Sequence, residues 1–333
     1  MLFVTDSIFG DHIRGIGHPE SPDRVEVVAS RLRAAGVMRD EAPARDATDE
    51  ELLRVHARAY LDLVERETEG IERARYLSTG DVVVDASSLA VARRAAGGAL
   101  VAMERTVESG QPVFALIRPP GHHAEPQRGM GFCVFNNVAV AARAFQARHG
   151  GRVLVVDFDY HHGNGTEAIA GDGLSYFSTH AYPAYPGSGR ESFKAGNDVV
   201  ANVPISARGI STEAFVAIWE YALPRVARAM RPDLILVSAG FDFLAGDPVG
   251  DLGVGVEAAG RLAAVIAAQA SAYCGGRVAY CLEGGYDLDG LTQSIAAIAG
   301  ARSAAPPAAT AEIDCVGPVD RAALARIDAL LDS

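Results

Sequence analysis

The sequence predicts an α/β fold, a doubly wound and mostly parallel sheet flanked by helices. Short apolar runs rich in β-branched residues alternate along the chain with longer helical patterns. Parallel strands need a long return connection, which a helix supplies, so this alternation favours parallel pairing. The 333 residues are 49% hydrophobic and 22% charged, an ordinary globular composition that is long enough to bury a large core.

Five runs have the length and composition of buried strands, and six patterns have those of helices. The first helical pattern is the clearest, because Ser21 can act as the N-cap, Pro22 begins the helix and Gly36 lies beyond its end. The predicted strands are 2–5, 113–117, 153–158, 234–238 and 278–282. The predicted helices are 21–35, 49–69, 87–108, 136–149, 211–230 and 256–274.

The C-terminal part of the chain has a different composition. Residues 301–311 read ARSAAPPAATA, which is typical of a flexible link, and a helical pattern follows at 321–331. The sequence contains no internal repeat. We therefore predict a catalytic domain over 1–300, followed by a linker and a C-terminal helix over 301–333.

Charge and cysteine content exclude several classes of function. Thirty basic and 42 acidic residues give a net charge of −12, which argues against direct nucleic-acid binding and suits a cationic or basic substrate. The four cysteines contain no CxxC pair, so neither a disulfide framework nor a thiolate zinc site is expected. The N-terminus lacks a basic signal region, and no uncharged stretch reaches membrane-spanning length. We expect a cytoplasmic protein without membrane attachment; a homo-oligomer is left open.

Polar residues collect directly after the predicted strands. Ligands bind beyond the carboxyl ends of strands in open parallel sheets, so these residues are the first candidates for a site. Four of the nine histidines form two His-His pairs, at 122–123 and at 161–162. The remaining candidates at this edge are Asp157, Asp159, Asn164, Asp242, Asp247, Glu283, Tyr286 and Asp287.

The segment DFDYHH favours a metal site. In an extended segment Asp159 and His161 project to the same side, and Asp242 follows another strand. One imidazole and two carboxylates neutralise a dication and leave a position open for water or substrate. Such a donor set suits Zn²⁺, but also Fe²⁺, Co²⁺ or Mn²⁺. The alternative is that the aspartates only cap the following helix.

A catalytic metal also needs proton carriers and a donor that stabilises an oxyanion. His122 and His123 are candidates for the general base and acid. Tyr286, in an EGGY turn, is neutral near pH 7 and can donate a hydrogen bond to a developing oxyanion. The alternative for Tyr286 is an ordinary core aromatic residue.

The chain resembles the histone deacetylase superfamily of metal-dependent deacetylases, which includes bacterial histone-deacetylase-like amidohydrolases, acetoin utilisation proteins and acetylpolyamine amidohydrolases. The stretches that carry the resemblance are GHPESPDR, RPPGHHAEPQRGMGFCVFNNVAVA, VDFDYHHGNGTEAI, SAGFDFLAGDPVGDL and LEGGYDL. They occur in the family's order from His18 to about Leu291.

The resemblance implies a role for each matching residue. It implies metal ligation by Asp159, His161 and Asp242, with Tyr286 polarising the acyl carbonyl. It pairs His122 with Asp157, and His123 with Asn164, where some members carry Asp. An amide orients the ring but adds no charge, so His123 is expected to transfer the proton.

The resemblance also implies a substrate tunnel that contains Gly131, Phe132 and Tyr185, where Phe is common at the last position; Asp81 is a candidate for an acidic rim residue. The implied ligands of a structural K⁺ are Asp157, Asp159, His161, Ser178 and Thr179.

These observations predict a zinc-dependent amidohydrolase that removes acetyl or related acyl groups from lysine side chains or similar primary amines. Its expected partner is an acylated lysine peptide or protein, or another acetylated amine. The alternatives are an acetylpolyamine deacetylase and a catalytically silent acyl-lysine-binding module. An arginase-like enzyme with two manganese ions would need further bridging ligands.

Overall fold

The computed structural model describes residues 1–301 and 316–332, and its centre is a nine-stranded sheet. The strand order is β2-β1-β5-β11-β10-β6-β7-β9-β8, and every neighbouring pair is parallel except β8 with β9. A separate antiparallel pair is formed by β3 and β4. The strands are β1 (Leu2–Thr5), β2 (Asp40–Pro43), β3 (Arg75–Tyr76), β4 (Val83–Val84), β5 (Val113–Ala115), β6 (Val153–Asp157), β7 (Leu174–Tyr182), β8 (Phe193–Ala195), β9 (Asp198–Ser206), β10 (Leu234–Ala239) and β11 (Val278–Leu282).

Helices flank this sheet. Helices α1, α9, α8, α7 and α10 pack side by side in that order, and α4 packs against α5 and α3. The helices are α1 (Asp23–Ala34), α2 (Asp49–Leu52), α3 (Arg58–Thr68), α4 (Ser88–Ser109), α5 (Asn137–His149), α6 (Asn164–Glu167), α7 (Thr212–Met230), α8 (Glu257–Tyr273), α9 (Leu288–Gly300) and α10 (Pro318–Asp332). The predicted doubly wound, mostly parallel architecture is confirmed.

The core lies between the sheet and its helices. Strands β6, β10 and β11 are buried along their whole length, which explains their continuous apolar sequences. The polar loops that follow these three strands therefore begin at a rigid edge of the sheet. Among the described residues, no helix combines the length and the apolarity needed to cross a bilayer.

One predicted helix was wrong. The pattern at 49–69 forms two helices, α2 and α3, because the residues between them make tertiary contacts instead of helical ones. His56 Nδ1 lies 3.1 Å from the carbonyl oxygen of Glu125, and its Nε2 accepts a hydrogen bond from the Asn136 amide. The Ala57 amide donates to the Pro126 carbonyl. These contacts between α2 and α3 anchor the segment around Glu125, which follows the predicted site residues His122 and His123.

The C-terminal helix is present as α10, and its side chains Ala323, Leu324 and Ile327 are buried where it packs against β9 and α7. Most of the predicted linker, 302–311, lies outside the described residues. The division of the chain at residue 300 stays a prediction.

Candidate active site

A cavity of about 190 Å³ opens at the carboxyl edge of the sheet. Loops after β5, β6, β10 and β11 contribute to its wall, as expected for an open parallel sheet. The structure places most of the predicted site residues here, together with three that the sequence did not single out. The lining residues are Asp81, Pro120, His122, His123, Gly131, Phe132, Asp159, His161, Tyr185, Val249, Gly284 and Tyr286.

Three side chains converge at the base of the cavity with the spacing of a metal site. Asp159, His161 and Asp242 each offer one ligand atom, and these atoms lie within 4.8 Å of one another. His161 Nδ1 is 3.2 Å from Asp159 Oδ1 and 2.9 Å from Asp242 Oδ2. The second contact lacks hydrogen-bond geometry, so Asp242 Oδ2 is a buried oxygen without a hydrogen-bond partner among the described residues. An unpartnered buried carboxylate oxygen is costly, and a cation would compensate for it.

The backbone at Gly284 lies very close to the carboxylates of Asp159 and Asp242. A Cβ atom on Gly284 would lie 2.5 Å from Asp242 Oδ2 and 2.6 Å from Asp159 Oδ2, so only glycine fits there. The Gly284 amide donates to Asp159 Oδ2, and the Tyr160 amide donates to Asp242 Oδ1. These bonds fix both carboxylates while leaving lone pairs free. The donor set and its rigid support therefore fit a divalent metal ion.

His122 is tied to acidic groups behind the cavity. Its Nδ1 lies 3.0 Å from Asp157 Oδ2, which also accepts a hydrogen bond from the Tyr176 hydroxyl. Burial lowers the pKa of His122, but the carboxylates of Asp159 and Asp157 outweigh burial and raise it to about 10. A dication bound at Asp159 would offset that carboxylate and bring the pKa of His122 down.

His123 has a neutral partner. Its Nδ1 lies 2.8 Å from Asn164 Oδ1, and the Asn164 amide nitrogen donates to Glu125 Oε1 at 2.7 Å. Burial lowers the pKa of His123 well below 6.5, and the neighbouring His122 and His161 lower it further. The ring is therefore neutral, with Nδ1–H donating to the amide oxygen and Nε2 able to accept a proton.

The Tyr286 phenol lines the same cavity as the histidines, with its ring centre 6.1 Å from that of Phe132. Burial holds its pKa well above 10, so the hydroxyl stays a hydrogen-bond donor. Its backbone amide donates to Asp247 Oδ2 at 2.7 Å, and the Arg24 guanidinium lies 4.7 Å from the ring centre. Arg24 also donates to the carbonyl oxygens of Gly285 and Glu283, on the same turn. The turn that carries Tyr286 is thus held from both sides.

Glu283 binds the backbone of the loop that carries His122 and His123. Its Oε2 accepts hydrogen bonds from the amides of Gly121 and His122 at 2.6 and 3.1 Å, and its Oε1 accepts one from Ser238. Burial raises the pKa of Glu283 to about 7 despite the opposing effect of His122. The carboxyl group joins β10, β11 and the loop after β5 at one point.

The outer part of the cavity has aromatic walls. Phe132 adopts a left-handed φ of 67° and packs edge-on against His18, with ring centres 4.6 Å apart. Such a φ in a non-glycine residue is strained and is common at functional sites. Tyr185 packs edge-on against His123 at 5.2 Å. Asp81 lies between the walls, since its Oδ1 accepts hydrogen bonds from the Gly131 amide at 2.8 Å and the Tyr185 hydroxyl at 3.4 Å.

The residues predicted to hold K⁺ include Asp159 and His161 of the candidate metal site, and the others lie on the neighbouring strands β6 and β7. Asp157 on β6 pairs in register with Ser178 on β7, and Thr179 follows it. The Ser178 hydroxyl lies 2.9 Å from His180 Nδ1. The potassium site stays a prediction.

Several supporting residues were not given a role from the sequence, although Asp247 was among the candidates at this edge of the sheet. Arg24, Tyr176 and Asp247 contact the site only through residues distant in sequence, and no local pattern indicates those contacts. Arg24 falls within the stretch GHPESPDR, which is a signal that could have drawn attention to it.

The chain is similar to histone deacetylases over most of its length. Residues 18–302 match the family model of the histone deacetylase domain. The chain is 36% identical over 293 residues to histone deacetylase 15 of Arabidopsis thaliana, with 84% of this chain and 52% of that protein covered. It is 37% identical over 294 residues to polyamine deacetylase HDAC10 of Homo sapiens, with 83% and 43% covered.

A solved structure agrees with these similarities. The crystal structure of the HDA15 HD domain superposes with a TM-score of 0.84 at 30% identity, covering 99% of this chain and 93% of that chain. This chain spans about half, or less, of the length of the two relatives named above. With a family model matched over residues 18–302, the chain belongs to the histone deacetylase family.

Proposed function

We propose that this protein is a metal-dependent amidohydrolase that removes an acetyl or related acyl group from a primary amine, with acyl-lysine side chains as the first candidate substrate. The observation that carries the proposal is the convergence of Asp159, His161 and Asp242 beside a cavity that is also lined by two further histidines and a phenol. The names of the relatives, which are deacetylases, support the same chemistry.

The proposed metal is Zn²⁺, although Fe²⁺, Co²⁺ and Mn²⁺ suit the same donors. When bound, the dication would polarise the acyl carbonyl and lower the pKa of a water molecule. Asp159 and Asp242 would balance its charge, and a set of three protein ligands leaves room for water and substrate.

We assign proton transfer to His123. Its ring is neutral, so it can accept a proton from the attacking water and return it to the leaving amine. Asn164 fixes the tautomer in which Nδ1 carries the proton. His122, with the Asp157 carboxylate beside it, stabilises negative charge in the transition state and orients the attacking water.

We assign oxyanion stabilisation to Tyr286. Its neutral phenol can donate to the carbonyl oxygen as negative charge develops there. Phe132 and Tyr185 would enclose the alkyl chain of the substrate, and the Asp81 carboxylate at the mouth can accept a hydrogen bond from the substrate backbone. A structural K⁺ held by Asp157, Asp159, His161, Ser178 and Thr179 remains part of the proposal.

Deacetylation of polyamines is the second candidate. The human relative is named a polyamine deacetylase, and the net charge of −12 favours a cationic substrate. Among the described residues that line the cavity, Asp81 is the only acidic one apart from the proposed ligand Asp159. Relative turnover of acetylputrescine and an acetyl-lysine peptide separates these substrates.

Two other classes find less support. A silent acyl-lysine-binding module would not need a proton-transfer pair beside the metal triad. A two-metal hydrolase would need a second cluster, and the described residues contain one group of three metal-binding side chains. Metal analysis with an activity assay distinguishes all three. A cytoplasmic location stays a proposal supported by the cysteine pattern alone.

The deciding experiment measures release of acetate from an acetyl-lysine peptide. Removal of metal with a chelator should abolish turnover, and Zn²⁺ should restore it. Tyr286→Phe should lower kcat about 100-fold or more with little change in KM, because a transition-state donor is lost. Tyr273→Phe, on α8 away from the cavity, is the matched control and should behave as wild type. Turnover that survives both chelation and Tyr286→Phe would overturn the proposal.

A further inference from the structure

His162, the second member of its His-His pair, has no part in the chemistry proposed above. It is 1% exposed and does not line the cavity. Its ring nitrogens nevertheless both have close partners: Nδ1 lies 2.8 Å from the Ser188 hydroxyl, and Nε2 lies 3.0 Å from Glu167 Oε2. A buried imidazole with two defined partners has a fixed orientation.

The partners decide which nitrogen carries the proton. A carboxylate only accepts hydrogen bonds, so His162 Nε2–H donates to Glu167 and Nδ1 accepts from the Ser188 hydroxyl. Glu167 is held in turn by the Asn202 amide nitrogen, which donates to the same oxygen at 2.6 Å. The chain of bonds therefore runs from β9 through α6 to Ser188.

Ser188 belongs to the loop 183–190, which carries the cavity wall residue Tyr185. The loop lies between β7 and β8, and Gly189 is its one buried residue. In the described part of the chain, three hydrogen bonds connect this loop to other elements. One is the bond to His162, and another is made by His180 Nε2–H to the Gly189 carbonyl at 2.8 Å. The third is the longer contact of Tyr185 with Asp81.

Gly189 is packed against both imidazole rings. It has a φ of 82°, and a Cβ atom there would lie 2.5 Å from His162 and 2.5 Å from His180. The two rings are themselves in contact, with centres 4.6 Å apart. Any displacement of His162 therefore moves the backbone three to four residues after Tyr185.

We infer that His162, oriented by Glu167, is a positioning residue that fixes the loop 183–190 and thereby holds Tyr185 as a wall of the substrate tunnel. Because His162 follows the metal ligand His161 directly, the same segment sets the metal site and the width of the tunnel. The inference rests on the proposed function in so far as Tyr185 contacts substrate.

The test removes one hydroxyl group. Ser188→Ala deletes the donor to His162 at a half-buried position where folding should be unaffected. We expect KM for an acetyl-lysine peptide to rise about 3- to 10-fold, the effect of losing one hydrogen bond, with kcat within about twofold of wild type and metal content unchanged. Amide exchange across 183–190 should become faster. Ser188→Thr keeps the hydroxyl and should restore both properties.

Ser271→Ala, an exposed hydroxyl deletion on α8, is the matched control and should change neither property. Gly189→Ala, which pushes the loop from the rings, should act in the same direction as Ser188→Ala. Wild-type KM and wild-type exchange in Ser188→Ala would overturn the inference, as would a rise in KM that Ser188→Thr reproduces. If wild type does not hydrolyse the peptide, the proposed function fails, and amide exchange in the Ala and Thr variants alone decides this inference.

Discussion

His122 and His123 are adjacent and chemically identical, yet their surroundings give them opposite protonation behaviour. The carboxylates of Asp159 and Asp157 outweigh burial and raise the pKa of His122, which lies against Asp157. Burial and the neighbouring His122 and His161 lower the pKa of His123, and its contact with Asn164 does not outweigh them. A carboxylate favours the imidazolium, whereas an amide only orients the ring. The assignment of proton transfer to His123 depends on this difference.

Replacing Asn164 with Asp should therefore move the pH profile. The new carboxylate would favour protonated His123, so the acidic limb of kcat/KM should shift to higher pH by about one unit or more. Because Asn164 donates to Glu125, the change is best made as Asn164→Asp with Glu125→Gln, which supplies the donor from the other side. Glu125→Gln alone is the control. An acidic limb that stays at its wild-type pH would show that His123 is not the base.

At single residues, local patterns indicated the candidate metal ligands, which the structure brings together, better than the residues that support them. The alternation that places Asp159 and His161 on one side is a property of extended backbone, so the sequence alone indicates it. The bonds that Arg24 makes to the turn of Tyr286 join residues more than 250 positions apart. No local pattern encodes such a contact, and only the folded chain shows it.

The strands and helices show the same difference between local patterns, which the sequence reveals, and long-range contacts, which it does not. Strands with continuous apolar sequences were predicted, whereas β7 was not, because it buries polar side chains such as Ser178, Thr179 and His180. Their partners come from other elements, as in the bond that Trp219 donates to Thr179. The division of 49–69 into α2 and α3 has the same cause, since His56 bonds to distant backbone.

The segment before α1 depends on one buried carboxylate. Glu20 is fully buried and accepts hydrogen bonds from Arg118 at 2.7 and 2.8 Å and from Arg24 at 3.1 Å. Burial would raise the pKa of Glu20, but the two guanidinium groups outweigh burial and lower it to about 2. The carboxylate joins the segment that carries Arg24 to the loop after β5.

Glu20→Gln should lower the free energy of unfolding at pH 7 by about 3 kcal/mol or more, because it leaves two buried guanidinium charges without their partner. The native pKa lies below the unfolded value of 4.5, so this stabilisation is complete above pH 4.5 and is lost as the pH falls toward 2. Urea unfolding at pH 7, 5 and 3.5 should show the difference between wild type and variant shrink only at the lowest pH. Glu41→Gln, which removes the exposed partner of Arg33, should cost less than about 1 kcal/mol. An equal loss for both variants would contradict this account.

For the whole molecule, the candidate metal ligands Asp159, His161 and Asp242 join two segments that are far apart in sequence but lie side by side in the sheet. Asp159 and His161 follow β6, and Asp242 follows β10, the neighbouring strand. Without a metal ion, the two carboxylates repel each other, and burial followed by the Asp159 charge raises the pKa of Asp242 to about 6. Metal binding should therefore couple directly to the stability of the fold.

Zn²⁺ should stabilise the folded chain by about 4 kcal/mol when free metal is about 1,000 times its dissociation constant, because an ion bound only to the native state shifts the equilibrium by mass action. Asp242→Asn should abolish most of this gain. In the metal-free state the same variant should be as stable as wild type or more stable at pH 7, because it removes one of two repelling charges. Asp251→Asn, an exposed aspartate on the same loop, serves as the control for charge alone. Urea unfolding of wild type and both variants, with chelator and with Zn²⁺, measures the metal-dependent gain of each protein. The same curves compare the metal-free stability of Asp242→Asn with that of wild type. A metal-dependent gain that Asp242→Asn retains in full would exclude Asp242 as a ligand.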